Sequence, residues 1–263
     1  KGYLFMATKH GLVKKTPLSQ FLKIRKSGLA AITLREGDEL LKVKVTYGDA
    51  NIIIVTKNGY AIKFSEKNIR AMGRTAAGVR AIKLRKDDIA IAMDIAVDGE
   101  DLMVVSEKGF GKRTDLTEYS LQHRGGLGVK TYKITDKTGS LVAARVCKED
   151  DELMLINNKG IAIRISVNGI SQTGRTAMGV KLMRGAEDIE IVAMAKISNE
   201  DIESKEDKLP DIAQTEDYSL GTSSCNEDDS LEELLDAAEE ELDDLDSDEN
   251  QEDEEAEEDD DLE

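Results

Sequence analysis

A segment of about fifty residues recurs four times in this chain, and that recurrence limits the fold more than any other feature. Four short runs line up: Ala7-Thr8-Lys9-His10-Gly11-Leu12, Val55-Thr56-Lys57-Asn58-Gly59-Tyr60, Val105-Ser106-Glu107-Lys108-Gly109-Phe110 and Ile156-Asn157-Asn158-Lys159-Gly160-Ile161. Their glycines are spaced by 48, 50 and 51 residues. An apolar run precedes each, and a mixed run such as Ala61-Ile62-Lys63-Phe64 follows. A polar-Gly pair between such runs predicts a tight β-hairpin, because glycine supplies the positive φ that the turn needs.

A second element recurs downstream of each hairpin. Its versions are Ser27-Gly28-Leu29, Met72-Gly73-Arg74-Thr75-Ala76-Ala77-Gly78-Val79-Arg80, His123-Arg124-Gly125-Gly126-Leu127-Gly128-Val129-Lys130 and Thr173-Gly174-Arg175-Thr176-Ala177-Met178-Gly179-Val180-Lys181. Gly78, Gly128 and Gly179 each fall 19 residues after their hairpin glycine, and Gly28 falls 17 after Gly11. Alternating runs follow, such as Val79–Leu84 and then Ile91–Ile95. Each unit therefore offers about four strands, the signature of propeller blades, with a stacked β-solenoid as the alternative. No stretch of helical period competes with the alternation, which argues against long helices in the body. With aromatics at 4% and two prolines, the core must be mostly Ile, Val, Leu, Met and Ala.

The formal net charge of −18 hides a split. Residues 1–198 hold 34 Lys+Arg against 22 Asp+Glu, and residues 199–263 hold 2 against 32. A basic body joined to a polyanion suggests a polyanionic partner. Cys147 and Cys225 stand far apart and in no metal spacing, which is the usage of a reducing compartment. No apolar run approaches the ~18 residues of a membrane span. The chain opens without Met on the strand-like run Tyr3–Ala7 and reads as a fragment of a longer protein.

The positive charges repeat with the units. The loop after the hairpin carries Lys23, Arg25 and Lys26, then Lys67, Arg70 and Arg74, then Arg124, then Arg175. The strand after the second glycine carries Arg80 and Lys83, Lys130 and Lys133, Lys181 and Arg184. The far strand of the hairpin adds Lys14-Lys15, Lys63, Lys112-Arg113 and Arg164. Equivalent positions in equivalent blades lie at equal radius, so a repeated cation becomes a belt. Such a belt would follow the phosphates of duplex DNA without reading bases. The alternative is an ordinary solubilising surface. Glycines in the Gly-Arg-Thr-Ala loops would let the backbone approach a phosphate, or would merely allow a tight turn. The scarcity of aromatics argues against a single-strand binder with stacking platforms.

The repeat, the Gly-Arg-Thr-Ala-x-Gly-Val loops, the run Phe110-Gly111-Lys112-Arg113-Thr114 and the acidic tail resemble the C-terminal domain of the A subunit of bacterial DNA gyrase, over essentially all of residues 1–198. The resemblance implies an all-β, propeller-like β-pinwheel of four-stranded antiparallel blades. About four of the family's six repeats are present, near 1–48, 49–98, 99–148 and 149–198. The implied role is to wrap double-stranded DNA around the basic rim so that the holoenzyme introduces negative supercoils with ATP. The family's gyrase box is Gln-Arg-Arg-Gly-Gly-Lys-Gly. Gln122-His123-Arg124-Gly125-Gly126-Leu127-Gly128 matches it at five of seven positions, in a later repeat than the family's first-blade box, and reads as a secondary, box-like loop; His123 has a bland alternative as a turn residue.

The candidate DNA contacts are thus Arg25, Lys26, Lys63, Arg70, Arg74, Arg80, Lys83, Lys112, Arg113, Gln122, His123, Arg124, Gly125, Gly126, Gly128, Lys130, Arg164, Arg175 and Lys181. The implied partners are the gyrase B subunit, together with the rest of the A subunit, in an A2B2 heterotetramer. The implied setting is the bacterial cytoplasm at the nucleoid, with no membrane. No cofactor is expected in this fragment; ATP and Mg belong to the holoenzyme. The family's DNA-cleaving tyrosine follows arginine, whereas Tyr3, Tyr47, Tyr60, Tyr119, Tyr132 and Tyr218 follow Gly, Thr, Gly, Glu, Thr and Asp. Gly125–Gly128 lacks the Gly-Lys-Ser/Thr ending of an ATP-binding loop. Asp87-Asp88 and Asp150-Asp151 read as turns, and two histidines build no metal site with distant cysteines.

From Asn199 the composition predicts disorder. Ser230-Leu231-Glu232-Glu233 reads as a capping box, and Leu231, Leu234, Leu235, Leu242 and Leu245 share one face of a short helix over 230–246. The tail is either a solubility device or a competitor that folds back on the rim. Two alternatives to the gyrase reading stay open: the topoisomerase IV relative, which unlinks DNA, and a propeller scaffold that binds proteins.

Overall fold

The structure is a computed structural model that describes residues 2–24, 26–184 and 189–197, within a first compact unit of Lys1–Leu209. Arg25 and the tail, with its expected helix at 230–246, lie outside the described residues. The strands, in chain order, are β1 (Tyr3–Thr8), β2 (Leu12–Pro17), β3 (Leu40–Thr46), β4 (Asn51–Thr56), β5 (Tyr60–Ser65), β6 (Val79–Arg80), β7 (Ala90–Ala96), β8 (Asp101–Ser106), β9 (Phe110–Asp115), β10 (Leu121–Gln122), β11 (Val129–Lys130), β12 (Leu141–Cys147), β13 (Glu152–Asn157), β14 (Ala162–Ser166), β15 (Val180–Lys181) and β16 (Ile191–Ile197). The only helical pieces among the described residues are three 3-10 turns, each just after a hairpin. The fold is all-β, in a four-blade propeller arrangement.

Each blade has the same plan, and it differs in one respect from the expectation that a unit supplies its own four strands. In the first three blades the outer edge is completed by the following unit. The first sheet runs β3-β1-β2-β6 and the third runs β12-β8-β9-β15. In the second, β5 pairs on one side with β4 and on the other with both β10 and β11. The donated segment touches twice: by a short parallel contact, as at Lys15 with Ala71 or Arg113 with Gln172, and by an antiparallel pair, as at Val13 with Val79. The fourth sheet, β14-β13-β16, has three strands among the described residues.

Strand alternation explains the long apolar runs. In β4, Ile52 and Ile54 pack into the core shared with the first blade, which also holds Phe5, Ala7 and Val13. Ile53 and Val55 point the other way, into the core with Leu102, Val104 and Leu141. In β8, Leu102 and Val104 face backward while Met103 and Val105 face forward onto Leu153 and Leu155. Both faces of an inner blade are covered by neighbours, so a strand buried on both sides has no polar alternation to show. Each fully buried Ile, Leu or Val stabilises the stack by about 1.5–3 kcal/mol.

The strands β3, β7, β12 and β16 pack against one another in sequence and form the hub, so β6, β11 and β15 are the outermost strands of their blades. The hairpin glycines Gly11, Gly59, Gly109 and Gly160 all have positive φ, 74° to 78°. Asp88 closes its loop as a turn residue should: its Oδ1 accepts from the backbone N–H groups of Asn58 and Ile89.

Candidate nucleic-acid interface

Position in the blade decides where each cation goes. Arg80, Lys130 and Lys181 occupy the second residue of β6, β11 and β15, opposite Leu12, Tyr60 and Phe110 in the strands they join. All three are exposed, as are Lys83, Lys133 and Arg184 three residues further on. These six cations therefore stand at matching points along the outer margin of three successive blades. Among the described residues no carboxylate lies within ion-pair distance of any of them. Among the described residues Lys181 is the one of the six whose side chain makes a hydrogen bond or ring contact: its Nζ donates to the Lys108 carbonyl at 2.9 Å and lies 5.0 Å from the Phe110 ring centre. Lys26 and Arg70 are also exposed.

The far strands of the hairpins, expected to add to the same belt, behave differently. Lys63 Nζ donates to the Leu116 carbonyl at 2.7 Å, and Lys15 Nζ donates to the Glu66 carbonyl at 2.9 Å. Arg113 donates from Nε to the Ile170 carbonyl at 2.7 Å and pairs with Asp101 and Glu149 at 3.1 and 3.2 Å. Arg164 pairs with Glu152 in its own sheet. In the first three hairpins this cation reaches the segment just after the next unit's hairpin, a 3-10 turn in the second and third units and a plain turn in the fourth.

Lys14 and Lys112 go further. Both side chains are fully buried, at 0% exposure. Lys14 Nζ donates to the carbonyls of Ala31, Gly73 and Arg74 at 2.8, 2.9 and 2.6 Å. Lys112 Nζ donates to the carbonyls of Gly174 and Arg175 at 2.5 and 2.6 Å. Each amine thus grips the Gly-Arg-Thr-Ala loop of the following unit. At the equivalent place in the other two hairpins stand Ile62 and Ile163. The loop that follows Ile62 is the box-like one, and Ile62 packs beside its Gly126. Lys112 is therefore a loop-holding residue whose amine faces inward, away from the surface where sequence reading put it. Burial lowers its pKa to about 8.

The loops themselves sit on the preceding blade. Arg74 is half-buried, with Nη1 3.4 Å from the Ala30 carbonyl. The backbone N–H of Arg175 donates to Glu118 at 3.2 Å, and its guanidinium lies 3.9 Å from the same carboxylate. In the box-like run, Gln122 is half-buried in β10 and His123 is exposed. Arg124 donates to the carbonyls of Arg80 and Asn68 at 3.1 and 3.2 Å. The Gly125 N–H donates to the Ala81 carbonyl at 2.5 Å, and the Gly126 carbonyl accepts from the Lys83 N–H at 2.8 Å. At Gly128, φ is +68° and a Cβ would stand 2.6 Å from the Ala61 carbonyl oxygen. Gly78 has the same relation to Val13, and Gly179 to Gly111. These three glycines allow close approach to the neighbouring hairpin, a packing role that neither the phosphate-approach nor the tight-turn reading of the sequence included.

The arrangement offers a curved row of cations. Tyr119 and Tyr132 are buried, and burial raises both phenols. No cluster of three or more His, Cys, Asp or Glu among the described residues could hold a metal ion. No helix among them is long and apolar enough to cross a membrane.

The family described as "DNA gyrase C-terminal domain, beta-propeller" matches residues 2–46, 50–96, 100–148 and 151–198, one match per unit and well over half of the chain. The chain belongs to that family. The DNA gyrase A subunit of Clostridium acetobutylicum is 61% identical over 207 residues, which are 79% of this chain and 25% of that protein. The DNA gyrase A subunit of Staphylococcus epidermidis is 38% identical over 203 residues, 76% of this chain and 23% of that protein. The chain thus spans about a quarter of the length of the curated relatives it matches. Among solved structures, the C-terminal domain of DNA topoisomerase IV superposes with a TM-score of 0.74 at 28% identity, covering 78% of this chain and 64% of that one. A DNA gyrase A C-terminal domain superposes with a TM-score of 0.68 at 28% identity, covering 75% and 66%. Superposition alone does not separate gyrase from topoisomerase IV members of the fold; the 61% identity to a gyrase A chain favours gyrase.

Proposed function

We propose that the blade array binds and bends duplex DNA along its outer margin, as the DNA-wrapping part of a gyrase A subunit. The observation that carries this reading is the row Arg80, Lys83, Lys130, Lys133, Lys181 and Arg184 on and just beyond three successive outer strands, without carboxylate partners among the described residues. Such a row attracts phosphates by charge and, having no arrangement for base edges, binds without sequence readout. Arg70, Arg74, Arg124, Arg175 and His123 border it; Lys63, Lys112 and Arg113 support it from within.

The similarity to gyrase A also supports supercoiling with ATP and Mg2+, in an A2B2 assembly with the gyrase B subunit, the remainder of the A subunit completing the enzyme. A cytoplasmic, nucleoid-associated setting follows the same way. The acidic tail, residues 199–263, is proposed as a competitor for the basic margin; deleting it should raise DNA affinity at low salt. The test of wrapping is to ligate nicked circular DNA on the chain and read the linking number. A positive shift supports wrapping of gyrase hand. Absence of a shift, with DNA binding that is missing or independent of salt, refutes the reading.

A further inference from the structure

The hub has an electrostatic feature that the outer margin does not account for. The innermost strands β3, β7, β12 and β16 surround a cavity of about 580 Å3, whose charged lining is Lys42, Lys44, Asp94, Glu100, Arg145 and Lys196. Two of the four cations are neutralised. Lys44 pairs with Asp94 at 2.8 Å, and Lys196 pairs with Asp151 at 3.0 Å. The Asp94 oxygens also accept from the backbone N–H groups of Ile95 and Val146 at 3.0 and 3.3 Å, and they lie outside ion-pair distance of Lys42 and Arg145.

Lys42 and Arg145 are left over. Neither has a carboxylate within ion-pair distance among the described residues, and Arg145 donates only to its neighbour's carbonyl, Ala144, at 3.3 Å. They come from the first and third units, and they repel one another. The field of Arg145 is the largest influence lowering the Lys42 pKa, ahead of burial and of Lys44. The remaining carboxyl, Glu100, is pushed upward chiefly by burial and lies outside ion-pair distance of both Lys42 and Arg145. Two half-buried cations facing each other in a cavity are unfavourable unless an anion lies between them.

We infer that the hub cavity is a binding site for a phosphate-class oxyanion, held between Lys42 and Arg145. The guanidinium fork matches two phosphate oxygens, and the lysine supplies a second charge from the opposite side. The ligand would tie the first unit to the third across the hub. It is distinct from the DNA phosphates of the proposed margin, because β3 and β12 lie at the inner ends of their blades and β6, β11 and β15 at the outer ends.

The test titrates inorganic phosphate into the 263-residue protein at constant ionic strength, with chloride as balance, and follows the melting temperature and the heat of binding. Phosphate should stabilise the protein in a saturable way beyond chloride. Arg145→Gln should weaken the response at least tenfold, whereas Arg80→Gln on the outer margin should retain it. Should Arg145→Gln not fold, Lys42→Gln has a sharper signature: a higher melting temperature without phosphate, from relief of repulsion, and a smaller response to it. Equal effects of phosphate and chloride would overturn the inference. So would a response that both hub variants keep, or one that the outer variant loses.

Discussion

Lys14 Nζ lies 2.6 Å from the carbonyl oxygen of Arg74, sixty residues downstream in the next unit. The pair Lys112 and Arg175, at 2.6 Å, repeats that relation two units later. A cation that the sequence places beside DNA thus holds the backbone of another cation's loop. This separates two kinds of lysine by experiment. Lys112→Met should leave the carbonyls of Gly174 and Arg175 without their charged donor and cost about 1–3 kcal/mol of stability. DNA affinity should fall because the Arg175 loop loosens, while the slope of log K against log salt stays unchanged, since no phosphate contact is removed.

The outer cations should act in the opposite sense. Arg80→Gln or Lys130→Gln should leave the urea midpoint within about 0.5 kcal/mol of wild type, as surface changes do. Each should flatten the salt slope of DNA binding by about one unit. Filter binding or fluorescence anisotropy across a salt series reads both numbers.

Two glycines with similar backbones give a direct measure of blade docking. Gly128 and Gly160 have φ of +68° and +77°. A Cβ on Gly160 would meet nothing within 4 Å, whereas one on Gly128 would stand 2.6 Å from the Ala61 carbonyl oxygen. Gly160→Ala should cost only the left-handed backbone penalty, about 1–2 kcal/mol. Gly128→Ala should cost that and the separation of the box-like loop from β5, so its loss in urea unfolding should be clearly the larger. Equal losses would mean that the loop moves aside freely.

Two buried groups set opposite pH trends. Burial lowers Lys112 to about 8, with Glu118 acting upward and Arg175 downward, while a lysine in the unfolded chain stays near 10.5. Between those values the unfolded chain binds the extra proton, so this residue's contribution to stability rises with pH from about 8 to 10.5. Tyr119 is pushed up to about 12 by burial, against hydrogen bonds with Thr131 and Thr114, from an ordinary value of 10. Between 10 and 12 the folded chain keeps a proton that the unfolded chain has lost, so stability falls there. Urea midpoints should show the wild-type advantage over Lys112→Met widening from about pH 8 to 10. The advantage over Tyr119→Phe should shrink above about pH 10.

The hairpins and the all-β class are legible because a turn and an alternating strand are local patterns. The four glycines from Gly11 to Gly160 occupy the turns that the pattern predicts. The exchange of β6, β11 and β15 into the preceding blade is not legible, because a two-residue strand has no period of its own. The inward role of Lys14 and Lys112 is hidden for a related reason: lysine reads as surface, and only its acceptors, distant in sequence, make burial tolerable. A faint signal is present. Lysine stands three residues after the hairpin glycine in the two units that precede Gly-Arg-Thr-Ala, and isoleucine stands there before the box-like loop. Arg80, Lys83, Lys130 and Lys181 stand out in the sequence because their spacing repeats; Lys42 and Arg145 do not, because theirs does not repeat.

The borrowed outer strand also sets an order of events during synthesis. The hairpin that ends at Pro17 acquires its last strand only when Arg80 has been made. At roughly 5–20 residues per second the ribosome delivers that stretch in about 3–13 s. Through that interval β2 presents a bare edge, and the same wait recurs for β5 and β9. Growth of the nascent chain thus closes each of the first three blades one unit late, so premature release after any of those units leaves an unpaired strand open to aggregation.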